Sequence, residues 1–128
     1  HTQAYVRQKF HMNTRGEGTI GEQLVCEYMK DRGMRVLQRN FLCRGGEADI
    51  IARDGAYLVF TEVKSRNSDE YGVGAEAVTR TKRRRLVHTA RCFLAMKGLA
   101  DVDVRFDVAV VTRGEVEYIE GAFDMNDI

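Results

Sequence analysis

The chain has 128 residues, 44% of them hydrophobic and 30% charged, with a formal net charge of +1. That length supports one domain around one core, and that balance is ordinary for a soluble globular protein, which sets aside disordered and collagenous classes. A net charge so close to zero selects no partner by itself, so any case for nucleic acid rests on where the charges fall.

Residues 1–11, HTQAYVRQKFH, read as foreign to the fold. His11-Met12 resembles a cloning junction after an expression-tag remnant, with Met12 as the native start; the other reading is a native basic arm. Residues 12–128 are expected to form the single domain. There is no secretory leader pattern and no apolar run long enough to span a bilayer. Cys26, Cys43 and Cys92 show neither CxxC nor Cys/His finger spacing. The expectation is free thiols in a reducing cytoplasm and no zinc site.

A first helix is predicted over 19–32, with Ile20, Leu24, Val25, Tyr28 and Met29 at helical spacing. Thr19 and Glu22 fit a capping box, and Gly33 closes the helix. A strand is predicted over 34–43, centred on Val36 and Leu37, with Asn40 as a turn or bulge residue. Residues 45–66, GGEADIIARDGAYLVFTEVKSR, then read as two apolar arms around Asp54-Gly55, a strong hairpin signal. With Asp54 and Gly55 as the central pair, Arg53 faces Ala56, Asp49 faces Phe60 and Glu47 faces Glu62. Glu47, Asp49, Glu62 and Lys64 then share one face, with Asp49 and Glu62 as diagonal neighbours about 7–8 Å apart.

Ionised side chains on arms that want burial are a conflict, and such conflicts mark function. Gathered carboxylates repel and lose hydration unless a cation intervenes. A hard divalent ion suits them: Mg²⁺ needs only one or two carboxylates beside water and substrate phosphate. Lys64 would orient the attacking water or stabilise charge on a phosphorane-like transition state.

Residues 66–74, RNSDEYGVG, form a polar loop bordering that site. A second helix is predicted over 75–97, ending at Gly98, with Val78, Leu86, Ala90, Phe93 and Leu94 as its buried stripe. Lys82 falls within the stripe and either snorkels to the rim or reaches the acidic site. Arg80, Lys82, Arg83, Arg84, Arg85 and Arg91 follow with no acid among them. With Arg66, this run is either a phosphate-binding footprint or a solvated face; single-sign charge gains nothing from i,i+4 pairing, which favours phosphate. Residues 101–112 alternate, with Val102, Val104, Phe106, Val108 and Val110 on one side. Arg105 and Asp107 on the other are expected to form a structural ion pair. Arg113-Gly114 turns into a last strand over 115–119. The order predicts a central mixed β-sheet of about five strands flanked by two main helices.

Asp49 followed across a hairpin by Glu62-Val63-Lys64 resembles the PD-(D/E)XK nuclease motif, with Glu47-Ala48-Asp49 where the name has Pro-Asp. Arg44-Gly45-Gly46-Glu47-Ala48-Asp49-Ile50-Ile51, Phe60-Thr61-Glu62-Val63-Lys64-Ser65-Arg66 and Arg105-Phe106-Asp107-Val108 resemble the YraN family. Those small bacterial proteins are grouped with endonucleases and are similar in fold to archaeal Holliday-junction resolvases. The resemblance, over 12–123, implies an α/β restriction-endonuclease-like core and Mg²⁺ or Mn²⁺ on Asp49, Glu62 and the Val63 carbonyl. It implies a metal-holding role for Glu22, for which the cap is the other reading, and catalysis by Lys64. Glu47 is either an outer acid or a cross-strand neighbour paired to Arg. The dimeric habit of junction-cutting relatives implies a homodimer.

Two functions remain open at this stage. One is a metal-dependent nuclease acting on branched or single-stranded DNA in repair, recombination or processing. The other is a non-catalytic nucleic-acid-binding module in a repair or uptake machine. A small-molecule phosphohydrolase lacks its cradle, because no glycine-rich loop precedes a helix.

Overall fold

In the computed structural model, residues 5–9, 17–66 and 78–127 are described. The elements run β1 (Tyr5–Lys9), α1 (Glu17–Asp31), β2 (Arg35–Cys43), β3 (Gly46–Asp54), β4 (Tyr57–Arg66), α2 (Arg80–Lys97), β5 (Asp103–Thr112) and β6 (Glu115–Phe123). They build one sheet in the order β1-β6-β5-β4-β3-β2. The β4/β5 pair is parallel and the other pairs are antiparallel. The expected mixed sheet flanked by two helices is what forms. A further strand, β1, joins its edge from within the segment that the sequence sets apart, pairing Tyr5–Lys9 with β6. Among the described residues no helix is long and apolar enough to cross a membrane.

The helices cover opposite faces of the sheet. Leu24, Val25, Tyr28 and Met29 of α1 pack on Ile50, Ala52, Val59, Ala109 and Tyr118. Leu86, Val87, Ala90 and Phe93 of α2 pack on Ile51, Leu58, Phe60, Phe106 and Val108. Two-sided burial accounts for the unbroken apolar runs of β4 and β5, since both neighbours along such a strand enter a core. Each fully buried Val, Ile, Leu or Phe contributes about 1.5–3 kcal/mol by leaving water, so the two layers dominate the favourable side of folding.

Element ends depart from expectation in three places. Helix α1 begins at Glu17, so Thr19 lies inside it and not at its start. Helix α2 begins at Arg80, because Thr79 is extended and its side chain accepts the Lys82 N–H; this cap stops the helix short of the predicted start, and 75–77 and the loop residues 67–74 lie outside the described residues. Strand β6 continues to Phe123 rather than ending near 119. The C-cap is as expected, with Gly98 left-handed at φ 65°. Asn40 is also left-handed, at φ 52°, and β2 carries a bulge between Val36 and Gln38.

The hairpin register also differs. Asp54 pairs with Tyr57 and Ile50 with Thr61, so Gly55 and Ala56 are the central turn residues. Positive φ at Gly55 but not at Ala56 is the glycine-first signature of a type II′ turn. Asp54 is kept in the strand by its carboxylate, which accepts from Arg105 Nη1 at 2.8 Å. Moving the register by two preserves alternation across the paired stretch from Ile50 to Asp54, whereas Ala48 and Ile50, two apart, pack on opposite faces of the sheet next to left-handed Asn40.

Arg105 organises the far end of the sheet. Its Nε and Nη2 donate to the two Asp107 oxygens, each at 2.9 Å. Asp107 also accepts from the Tyr118 hydroxyl at 2.6 Å and the Gly121 N–H at 2.9 Å. The expected structural ion pair is therefore present, with Asp54 added. Burial and the Asp107 charge hold the Tyr118 hydroxyl well above its usual range. Replacing Arg105 by Met leaves Asp107, 0% exposed, as a buried charge without its cation. We expect a loss of about 3–5 kcal/mol in urea unfolding; a loss below about 1 kcal/mol would mean that the pair is not what holds this end together.

Candidate metal and nucleic-acid site

Both helices come close to the sheet at the end where the β3/β4 ladder stops. On α1, a Cβ at Gly21 would sit 2.9 Å from Ser65 Oγ of β4. Opposite α2, a Cβ at Gly46 would collide with Thr89 Oγ1 and reach the Arg85 carbonyl at 3.0 Å. A side chain at Gly46 would push α2 away from the strand that carries Glu47 and Asp49, whereas at Gly21 rotation of the Ser65 hydroxyl relieves the contact.

The ladder ends at Ile50 and Thr61, and one step further along each strand Asp49 and Glu62 come within electrostatic reach of each other. They are neighbours across the end of the ladder rather than a pair within it. Beyond that point the Val63 N–H has no strand carbonyl to take it, and the Asp49 carboxylate accepts it at 2.7 Å. Glu62, Glu47, Gly46 and Leu42 line a cavity of about 510 Å³ with Lys82 and Arg85 of α2. Lys82 therefore carries its charge from an apolar stripe to the acidic rim, joining the two readings of that residue.

Burial pushes the Asp49 carboxyl up to about 6; the Val63 N–H pulls it down, and Glu22 and Glu47 push it further up. Burial and then Asp49 push the Glu62 carboxyl up to about 7, against the opposing pull of Lys82 and Lys64. Yet neither lysine comes within 4 Å ion-pair distance of either acid among the described residues. The acids are dehydrated and mutually repelled, and the cations stand off.

The remaining candidates divide. Glu22 is near enough to act on Asp49, but its carboxylate accepts from Arg39 Nη2 at 3.3 Å. Arg39 is a partner that sequence patterning missed; its alternation in β2 offered no sign of it. Glu47 is exposed at the cavity and makes no ion pair to an arginine among the described residues. Lys64 is half-buried in β4 beside Val110, and Arg66 is half-buried at the strand's end beside Thr112. Arg80 and Arg84 are exposed on α2. Arg83 is instead committed to structure: Nε donates to the Val78 carbonyl at 3.1 Å, and its guanidinium lies over Phe123.

A second group of ligand-type side chains comes together elsewhere. Cys43 of β2 meets His88 and Cys92 of α2, with their donor atoms all within 4.8 Å of one another. The absence of finger spacing hid this group. His88 and Cys92 are i,i+4 neighbours on one helix face, a spacing readable in the sequence, whereas Cys43 arrives only through the tertiary fold.

Fold and site together define a compact α/β domain with an acidic pair at one end of its sheet. A family model described as "Uncharacterised protein family UPF0102" matches residues 21–111, and the chain belongs to this family, whose YraN-like members its motif residues resemble. A UPF0102 protein of Geobacter sulfurreducens is 44% identical over 113 residues, covering 84% of this chain and 88% of that protein. A UPF0102 protein of Lachnoclostridium phytofermentans is 42% identical over 88% of this chain and 97% of its own length. One from Mycolicibacterium vanbaalenii is 47% identical over 81% and 90%.

The acid pair makes pH act in an unusual direction. A carboxyl whose folded value is raised favours the fold while protonated, and that contribution is lost as pH rises through the folded value. For Glu62 the window runs from its usual 4.5 to about 7. Glu62→Gln is expected to be more stable than wild type at pH 8, by about 3 kcal/mol, and equal to it at pH 4. Urea midpoints across pH measure the difference; a variant less stable than wild type at pH 8 would contradict this electrostatic account.

Proposed function

We propose that this chain is a divalent-metal-dependent nuclease that hydrolyses phosphodiester bonds of DNA. The observation that carries the reading is the pair Asp49 and Glu62: two dehydrated, neighbouring carboxylates without a cation at ion-pair distance among the described residues. Their oxygen-only chemistry fits Mg²⁺ or Mn²⁺, with the Val63 carbonyl as third protein ligand. The ion when bound would supply Lewis acidity toward a phosphoryl oxygen. Lys64 would orient the attacking water or stabilise charge building on the phosphoryl group. Lys82, at the cavity wall, would hold the strand's phosphate against the acids. Arg80 and Arg84, with Arg66, would follow the backbone on either side. Such contacts position the nucleic acid without reading bases, which supports structure-selective cutting of branched or single-stranded DNA in repair, recombination or processing. Cytoplasmic action, and action as a homodimer, belong to the same reading.

One observation favours a second reading. Glu22 is taken by Arg39, which removes an acid from the metal set and suits a module that binds nucleic acid without cutting it. Labelled duplex, single-stranded, flap and four-way-junction DNA, with Mg²⁺, Mn²⁺ or EDTA, separate the two. The nuclease reading expects metal-dependent products, reduced at least about 100-fold in Asp49→Ala and in Glu62→Ala. No product on any substrate, with gel shifts unchanged in both variants, would leave the binding module standing.

The basic face is tested separately. Arg80→Ala with Arg84→Ala is expected to reduce the slope of log affinity against log salt by about 2, since each phosphate contact contributes about 0.9. An unchanged slope would return the run to an ordinary solvated helix face.

A further inference from the structure

Cys43, His88 and Cys92 lie on the α2 side of the sheet, beyond the turn that leads into β3. Cys92 Sγ is 3.5 Å from His88 Nε2. A tetrahedral zinc ion with bonds of about 2.3 Å to sulfur and about 2.05 Å to nitrogen separates those two ligand atoms by about 3.6 Å. The helix thus already holds two donors at the edge length such an ion requires. Cys43 Sγ closes the triangle, and all three atoms lie within 4.8 Å of one another. Two sulfurs in one tetrahedral shell stand about 3.8 Å apart, so closure asks for a shift of about 1 Å at most.

The surroundings leave room for it. Gly45, at φ 92°, sits against the imidazole, where a Cβ would be 3.4 Å from Nε2. His88 Nε2 lies 2.8 Å from the Arg44 carbonyl and, at that distance, donates to it. An ion would take the place of that shared proton. The two thiols would release their protons to solvent, and the imidazole would give up the Nε2 proton and take one on Nδ1, staying neutral. No electron moves, and the doubly charged ion with two thiolates is neutral. A neutral centre suits this helix, whose exposed Arg84, Arg85 and Arg91 would disfavour added positive charge. Sulfur and imidazole select a thiophilic ion and leave Mg²⁺ to oxygen ligands.

We propose that Cys43, His88 and Cys92 form a second metal site in this protein, one that takes Zn²⁺ and leaves a fourth position to water or the Arg44 carbonyl. Because Gly45 and Gly46 also border the acidic cavity, the ion would fasten the β2–β3 turn to the middle of α2. The site is independent of the nuclease reading.

The test is a titration of the reduced, metal-stripped full chain with Co²⁺. We expect thiolate-to-cobalt charge-transfer absorption that saturates near about one equivalent and is bleached by Zn²⁺. Cys92→Ser and His88→Ala should each weaken it by more than about tenfold. His88 is exposed, so its variant should keep the fold, checked by far-UV circular dichroism. Asp49→Asn should leave the band intact, because the acidic pair offers no sulfur. A reduced protein without the band, or a band unchanged in Cys92→Ser and His88→Ala, overturns the proposal. Cys43 and Cys92 joining as a disulfide in a protein that gave no cobalt band would overturn it in favour of a thiol redox pair.

Discussion

The bond from the Val63 N–H to the Asp49 carboxylate, 2.7 Å long, is the constraint from which the acidic end of the sheet follows. Strand β3 stops pairing with β4 after Ile50, and a buried backbone donor cannot be left without an acceptor. A side chain supplies the acceptor, which draws Asp49 to Glu62 and turns a hairpin edge into a pocket for charge. The cost is dehydration of both acids. It is tolerated because the layers behind them, Phe60 and Phe106 with α2 and Val59 and Tyr118 with α1, are fully packed.

The opposite end of the same strands resolves its charge differently. Arg105, Asp107, Asp54, Tyr118 and the Gly121 N–H satisfy one another. The contrast is instructive. Two clusters of acids flank one sheet; one is paired to an arginine and, among the described residues, the other meets lysines only at long range. Polar groups with their partners in place serve structure, and those whose partners are withheld are available for chemistry.

The sequence made the sheet legible because its strands are buried on both sides or alternate cleanly, as in LVF of β4 and VRFDVAV of β5. That Asp49 and Glu62 come near one another was legible too, but parity alone does not secure their faces, because Ala48 and Ile50, two apart on β3, pack in opposite layers. The register itself was not legible. Asp54-Gly55 is the stronger local turn signal, but it lost to an ion pair with Arg105, fifty-one residues away. Local propensity cannot see such a contact. The same holds for Arg39 on Glu22 and for Cys43 beside His88 and Cys92. Each joins separate elements, and only the packed fold brings them into range. The start of α2 was not legible for a local reason: the Thr79 cap cuts off an apolar spacing that begins earlier in the sequence.

Strand β2 is an outer member of the sheet, and its backbone is broken twice, by the bulge at Val36/Gln38 and by left-handed Asn40. A regular outer strand invites another chain to zip onto its unpaired amides. This one offers only short, twisted stretches between interruptions, with Arg35 and Arg39 spaced along them. The molecule is thereby guarded against open-ended stacking on that flank, even though Leu42 there is 70% exposed.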